Sequence, residues 1–208
     1  DGKATTTLNV NTVVAYVRAI KQELEQLNAT LKQIDPNAQE EKLTIQISLG
    51  TVNAQTTEVP LANELLTALA NEGVEALEVE MNGVALSLPT SELDGDTTLT
   101  VTEEEGTAAQ ETTNLPVRSK VYNFNLNVGG QAKSRFSNAV RVAIPVDAED
   151  ADPDYLVLAQ IVDGELVFHG GTVVNGVLVA ERRTFSTYVV VENRVTFDDI
   201  ASVESWAG

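Results

Sequence analysis

The densest run of groups that could do chemistry is Asp147-Ala148-Glu149-Asp150-Ala151-Asp152-Pro153-Asp154, with five carboxylates in eight residues. Calcium takes about six to eight oxygens from a loop of this kind. Asp147, Glu149, Asp150, Asp152 and Asp154 are therefore the candidate calcium ligands, and calcium is the one cofactor the chain suggests. The run lacks the central Gly and the closing Glu of a helix–loop–helix calcium site, so a solvated acidic loop is the favoured reading. Glu103-Glu104-Glu105 reads the same way. His169 is the only histidine and there is no cysteine, a donor set too poor for zinc or copper; His169 reads as a turn residue between Phe168 and Gly170. Gly129-Gly130 and Gly170-Gly171 lack the Lys and the following helix of a phosphate loop. No Gly-x-Ser-x-Gly elbow occurs. No catalytic set is recognisable, and the chain reads as a non-enzyme.

Charge narrows the partners. The chain has 208 residues and a formal net charge of −18. Nucleic acid needs clustered Lys and Arg against its phosphates, and anionic lipid needs the same, so neither is expected. No apolar run is long enough to span a bilayer, so no membrane insertion is expected. Without cysteine the core alone must carry stability. The first residues, Asp1-Gly2-Lys3, read as the start of a mature or excised piece whose export signal lies upstream. Tyr16, Tyr122, Tyr155 and Tyr188 are scattered and form no evident row for stacking on sugars.

The elements that must position these groups follow from periodicity. Val13, Val17, Ile20, Leu24, Leu27, Leu31 and Ile34 alternate at spacings of four and three, which predicts one apolar stripe on a helix over 12–34, capped by Asn11 and ended by Pro36. The stripe fits docking on the body of the protein, the favoured reading, or pairing with a second copy. Period-two alternation predicts strands at 43–48, 57–59, 76–81, 84–88, 97–102, 119–128, 140–146, 155–162, 165–168, 172–174, 177–181 and 186–191. Asn82-Gly83, Asp163-Gly164 and Asn175-Gly176 are turn signals. A second helix is predicted over 61–71, with Gly73 at its C-terminal end. Residues 103–114 have no apolar period and read as a mobile loop and the best internal boundary.

Short strands at regular spacing predict a mainly β chain: an antiparallel β-sandwich-like arrangement with a long N-terminal amphipathic helix and one short internal helix. The expected organisation is a linker and helix over 1–41, a first β-rich half with the short helix over 42–115, a second β-sandwich half over 116–196, and the opening of a further module over 197–208.

Phe197-Asp198-Asp199-Ile200 followed by Trp206-Ala207 resembles the start of an S-layer homology module. Phe185-Ser186-Thr187-Tyr188-Val189-Val190 resembles the strand that often precedes such repeats in bacterial surface proteins. Val140–Pro145, Tyr155–Gly164, Glu58–Pro60, Leu65–Val74 and Leu77–Glu80 are similar to further segments of that preceding domain. The family-motif positions are Phe185, Ser186, Tyr188, Phe197, Asp199 and Trp206. The resemblance implies an extracellular protein of the bacterial cell surface, and a non-catalytic spacer beside repeats that bind cell-wall polysaccharide in the parent protein, with other modules of the same polypeptide as neighbours. A carbohydrate-binding module is the alternative. The strand at 184–188 also resembles the cleavage strand of self-processing extracellular domains. Thr184 stands where those have a histidine, so cleavage at Phe185-Ser186 would lack its expected base.

Overall fold

The computed structural model describes residues 3–5 and 9–194. Phe197, Asp199 and Trp206, and with them the module-opening motif, lie outside the described residues. Helix α1 spans Val10–Ile34. Its cap is Asn9, two residues before the expected Asn11; the Asn9 Oδ1 accepts from the Thr12 backbone N–H at 3.1 Å. Asp35, held extended before Pro36, closes the other end. The predicted single stripe divides in two. Val10, Val13, Val17 and Leu24 pack on the core, with Val17 fully buried. Tyr16, Ile20, Leu27 and Ile34 remain exposed. Asn28 fastens the helix laterally, accepting from the Glu41 N–H and donating to the Glu41 carbonyl at 2.8 and 3.1 Å.

Strand β1 (Lys3–Thr5) precedes α1; β2 (Thr44–Ser48) and β3 (Thr56–Leu61) follow it. Helix α2 (Asn63–Asn71) buries Leu65, Leu66 and Leu69. Glu72 at its end receives Arg18 of α1 at 2.7 Å. Next come β4 (Ala76–Met81), β5 (Val84–Pro89) and β6 (Thr97–Glu104), then β7 (Val121–Val128), β8 (Gln131–Ala132) and β9 (Arg135–Pro145). The last group is β10 (Leu156–Val162), β11 (Glu165–Gly170), β12 (Thr172–Val174), β13 (Val177–Thr184) and β14 (Thr187–Glu192). The turn signals hold: Asn82 and Gly83 both adopt positive φ, 50° and 81°, joining β4 to β5 in a two-residue hairpin. Strand β3 runs through Pro60, where the sequence suggested a stop. Among the described residues β1 pairs with Thr56–Glu58, short of Pro60, which has no N–H to give to a ladder.

The expected antiparallel sandwich is corrected here. The strands form two mixed sheets, one in the order β1-β3-β6-β7-β14-β10-β11 with β8 beside β7, the other β12-β13-β9-β5-β4-β2. β1 runs parallel to β3, and β2 parallel to β4. The reason is the helices. Parallel neighbours need a long crossover, and α1 and α2 each lie within one. The β1–β3 connection contains α1 and the β2–β4 connection contains α2. Each sheet draws strands from both 42–115 and 116–196, and one contiguous apolar core spans them.

A second, smaller apolar cluster lies elsewhere in the first sheet. Ala109, Val121, Ala159, Val189 and Val191 are buried in it, with Leu115 and Val117 packed alongside. The stretch 103–114, which reads in sequence as a loop, supplies Ala109 to this cluster. Pro116 and Arg118 extend the sheet there, exchanging backbone hydrogen bonds with Glu192 and Val190. Gly106 permits the close approach: a Cβ at that position would stand 2.6 Å from the Ser119 carbonyl oxygen. No helix among the described residues is long and apolar enough to cross a membrane.

Candidate functional site

Strands β3, β6 and β7 obey strict alternation. Inward they place Val59, Leu61, Leu99, Val101, Phe124 and Leu126 in the core. Outward they place Thr56, Glu58 and Pro60, then Thr98, Thr100 and Thr102, then Asn123, Asn125 and Asn127. The register aligns these into rows: Thr56 with Thr102 and Asn123, Glu58 with Thr100 and Asn125, Pro60 with Thr98 and Asn127. The rows are cross-linked. The Thr56 and Thr102 hydroxyls are 3.2 Å apart, Asn125 donates to Asn123, and the Asn123 Nδ2 donates to the Thr187 hydroxyl at 2.7 Å. Among the described residues Glu58 is the charged residue within these three rows, and Glu104 continues the outward face of β6 beyond Thr102. The outer face of the other sheet carries Glu78, Glu80, Arg141 and Glu181 instead.

A groove of about 480 Å³ opens at one end of the lattice. Thr98, Thr100, Asn125 and Asn127 form one side; Lys133, Ser134 and Ser186 form the other, with Phe185 beside them. Phe185 is buried and meets Phe136 edge-on, with ring centroids 4.7 Å apart. The Phe185 N–H donates to the Ser134 carbonyl at 2.9 Å, and the Ser186 carbonyl accepts from the Phe124 N–H at 3.2 Å. This arrangement offers hydroxyls, amides and the Glu58 carboxylate along a shallow trough, while the Lys133 ammonium is held by Glu92. Sequence reasoning passed over the lattice, although the signal was present: every outward position of 98–102 and 123–127 is Thr or Asn.

Tyr188 organises a second polar group between the sheets. Its side chain is fully buried and its hydroxyl donates to the Thr184 carbonyl at 2.7 Å, pinning the bend that carries Phe185 and Ser186. The Arg182 Nε donates to the same hydroxyl at 3.3 Å. His169 is not a simple turn residue. It is the extra residue of a β-bulge between β10 and β11, opposite Leu158 and Ala159, and the bulge re-aims its ring. Nε2 lies 2.9 Å from Gln160 Oε1 and 3.1 Å from Arg182. Burial, and then the Arg182 charge, hold the imidazole below its ordinary pKa. Nε2 donates to Gln160 Oε1 when it carries the ring hydrogen and accepts from Arg182 when it does not.

The acidic loop is folded on itself. Asp147 accepts from the Glu149 N–H, Asp152 accepts from the Asp154 N–H, and Asp150 adopts a φ of 58°. The candidate ligands Asp147, Glu149, Asp150, Asp152 and Asp154 do not converge: among the described residues no group of three or more His, Asp or Glu side chains is placed to hold a metal ion. Beside the loop, Glu192 is almost fully buried and binds Arg118 Nη2 and Arg194 Nε, each at 2.6 Å. Those two hydrogen bonds, outweighing burial, hold its carboxyl below the usual range. Arg118 also donates to the Glu149 carbonyl at 3.2 Å. The Arg194 guanidinium lies 5.5 Å from the Tyr155 ring.

No protein-family model matches this chain, and no curated protein matches it in sequence.

Proposed function

We propose that this chain is a non-catalytic structural domain of a secreted bacterial cell-surface protein, a spacer beside the repeats that anchor the parent protein to cell-wall polysaccharide. The observation that carries this reading is the placement of β14. The family resemblance puts this strand directly before the anchoring repeats, so it would receive the mechanical load. β14 lies inside its sheet. It pairs with β10 from Thr187 to Glu192 on one side, and with β7 and the 116–118 segment on the other. An interior strand cannot peel from an edge; both ladders must break. Glu192, held by Arg118 and Arg194, locks its last residue. The test is to tether the chain at both ends and ramp the force. The expected result is one cooperative release of about 650 Å of contour for the stretch from Asn9 to Arg194, at about 3.5 Å per residue. A small first step that frees β14 alone would overturn the reading.

The Thr/Asn lattice supports a second reading, a carbohydrate-binding module. Glycan hydroxyls both donate and accept, as do Thr hydroxyls and Asn amides. A nearly uncharged face on a molecule of net charge −18 suits a neutral polymer. On this face stacking is not the mode, because Tyr122, Phe124, Phe136, Phe185 and Tyr188 are in the core, and the exposed Tyr16, Tyr155 and Phe168 lie on α1, before β10 and on β11. The chain should be retarded on native gels containing a soluble neutral polysaccharide, and Thr100→Glu with Asn125→Asp should abolish the retardation. Running the gels with and without calcium tests the acidic loop separately. Wild-type mobility unchanged by every polysaccharide removes this reading.

A further inference from the structure

We infer that α1 carries a self-association surface and that its occupant is a second copy of this chain, docked antiparallel. The exposed row is Tyr16, Ile20, Leu27 and Ile34, with 69, 44, 49 and 78% of each residue open to solvent. At 3.6 residues per turn these four fall within about 40° of one another and extend over roughly 27 Å. They present on the order of 400 Å² of apolar surface per copy, within the range of the largest patch on a monomer, which is often functional. Among the described residues nothing covers them.

Spacing and charge select the occupant. Ile20, Leu27 and Ile34 repeat every seven residues, the period at which one helix keeps its seam against another. Antiparallel pairing about Leu27 makes the row self-complementary: Leu27 meets Leu27, Ile20 meets Ile34, and Glu23 falls opposite Leu31. A parallel pair would bring Glu23 near Glu23. The helix has a net charge of +1, from Arg18, Lys21 and Lys32 against Glu23 and Glu25, so the other residues carry −19. Two strongly acidic copies therefore approach with least repulsion along α1. The contact is small for a stable dimer, so association is concentration-dependent and strengthens as salt screens the remaining charge.

Sedimentation equilibrium tests this directly. The weight-average mass of the wild-type chain should climb from 22.3 kDa towards twice that value as concentration rises from about 1 to about 300 μM, and climb further at higher salt. Leu27→Glu should hold the mass at the monomer value. Leu27 is half exposed, so the same thermal unfolding midpoint should show that this variant is folded. Ile20→Lys alone and Ile34→Glu alone should each weaken association at least tenfold. The double variant should recover it, because position 20 of one copy faces position 34 of the other. A wild-type chain that stays monomeric throughout overturns the inference, whatever else binds α1. Failure of the double variant to recover overturns the antiparallel register.

Discussion

Glu92→Ala is expected to lower the free energy of unfolding by about 3 kcal/mol, the lower end of what breaking a buried, hydrogen-bonded ion pair costs. Glu92 is 4% exposed and closes the short turn after β5. One carboxylate oxygen accepts from the Asn138 N–H at 2.6 Å and the other binds the Lys133 ammonium at 2.8 Å; Lys133 also donates to the Glu92 carbonyl. The side chain thus stitches the 90–92 turn to Lys133, between β8 and β9, and to Asn138 within β9. Removing it leaves the Asn138 N–H without its acceptor and the half-buried ammonium without its carboxylate, with only the Glu92 carbonyl left to it. Lys133→Ala should cost less, because the Asn138 bond survives. The double variant should cost less than the sum, by 0.5 to ~3 kcal/mol, as residues in one network do. Urea midpoints measure all three. A Glu92→Ala midpoint equal to wild type would show that the pair contributes nothing.

The same pair sets a pH dependence. Burial pushes the Glu92 carboxyl up, but the Lys133 and Asn138 hydrogen bonds outweigh it and hold the group below its ordinary 4.5. Glu192 is held down likewise. Between the lowered folded value and 4.5 the unfolded chain binds more protons, so stability rises with pH across that window. Their contribution is fully present above about 4.5 and is lost as pH falls through the folded values. His169 adds a shallower loss at higher pH. Its folded value lies below 6.5, so the unfolded chain takes its proton first as pH falls past 6.5. In Glu92→Ala the loss of stability below 4.5 should shrink while the His169 portion stays.

Local patterns carried most of this fold into the sequence, and non-local ones did not. Residues 98–102 alternate Thr with buried apolar side chains, and each strand with such alternation was legible. So were the Asn-Gly and Asp-Gly turns, because positive φ has a residue signature. The parallel pairing of Thr44–Ser48 with Ala76–Met81 leaves no such mark, since its register is set through α2 and a strand of the other sheet. The division of the α1 stripe was hidden for the same reason. Val17 and Ile20 are equally apolar, and only the position of α2 and the sheet decides which one is covered. Residues 103–114 read as a loop because their buried apolar member is small: Ala109 fills its cluster without generating a period. The strand expected at 186–191 is β14, Thr187–Glu192, and Phe185 and Ser186 lie in the bend before it. The link of Tyr188 to His169 and Arg182 was not legible, because it depends on a one-residue bulge.

Tyr188→Ala is expected to cost about 3–5 kcal/mol, the range for emptying a large buried aromatic site. The ring is fully buried, 6.1 Å from Phe124 and 6.3 Å from His169, and the Arg182 guanidinium lies 5.7 Å from it. Tyr188→Phe separates the ring from its hydroxyl. That variant keeps the packing but leaves the Thr184 carbonyl without its 2.7 Å donor, and should cost about 1–3 kcal/mol. The two variants should also diverge at His169. Burial is the larger cause of its lowered pKa and Arg182 the smaller. Emptying the Tyr188 site admits water beside the imidazole, so in Tyr188→Ala the His169 titration, followed by NMR, should move up towards 6.5. In Tyr188→Phe the ring still excludes water and the midpoint should stay where it is in the wild type. Equal midpoints in all three chains would mean that Tyr188 does not wall off His169, and that the bulge at β11 alone sets its environment.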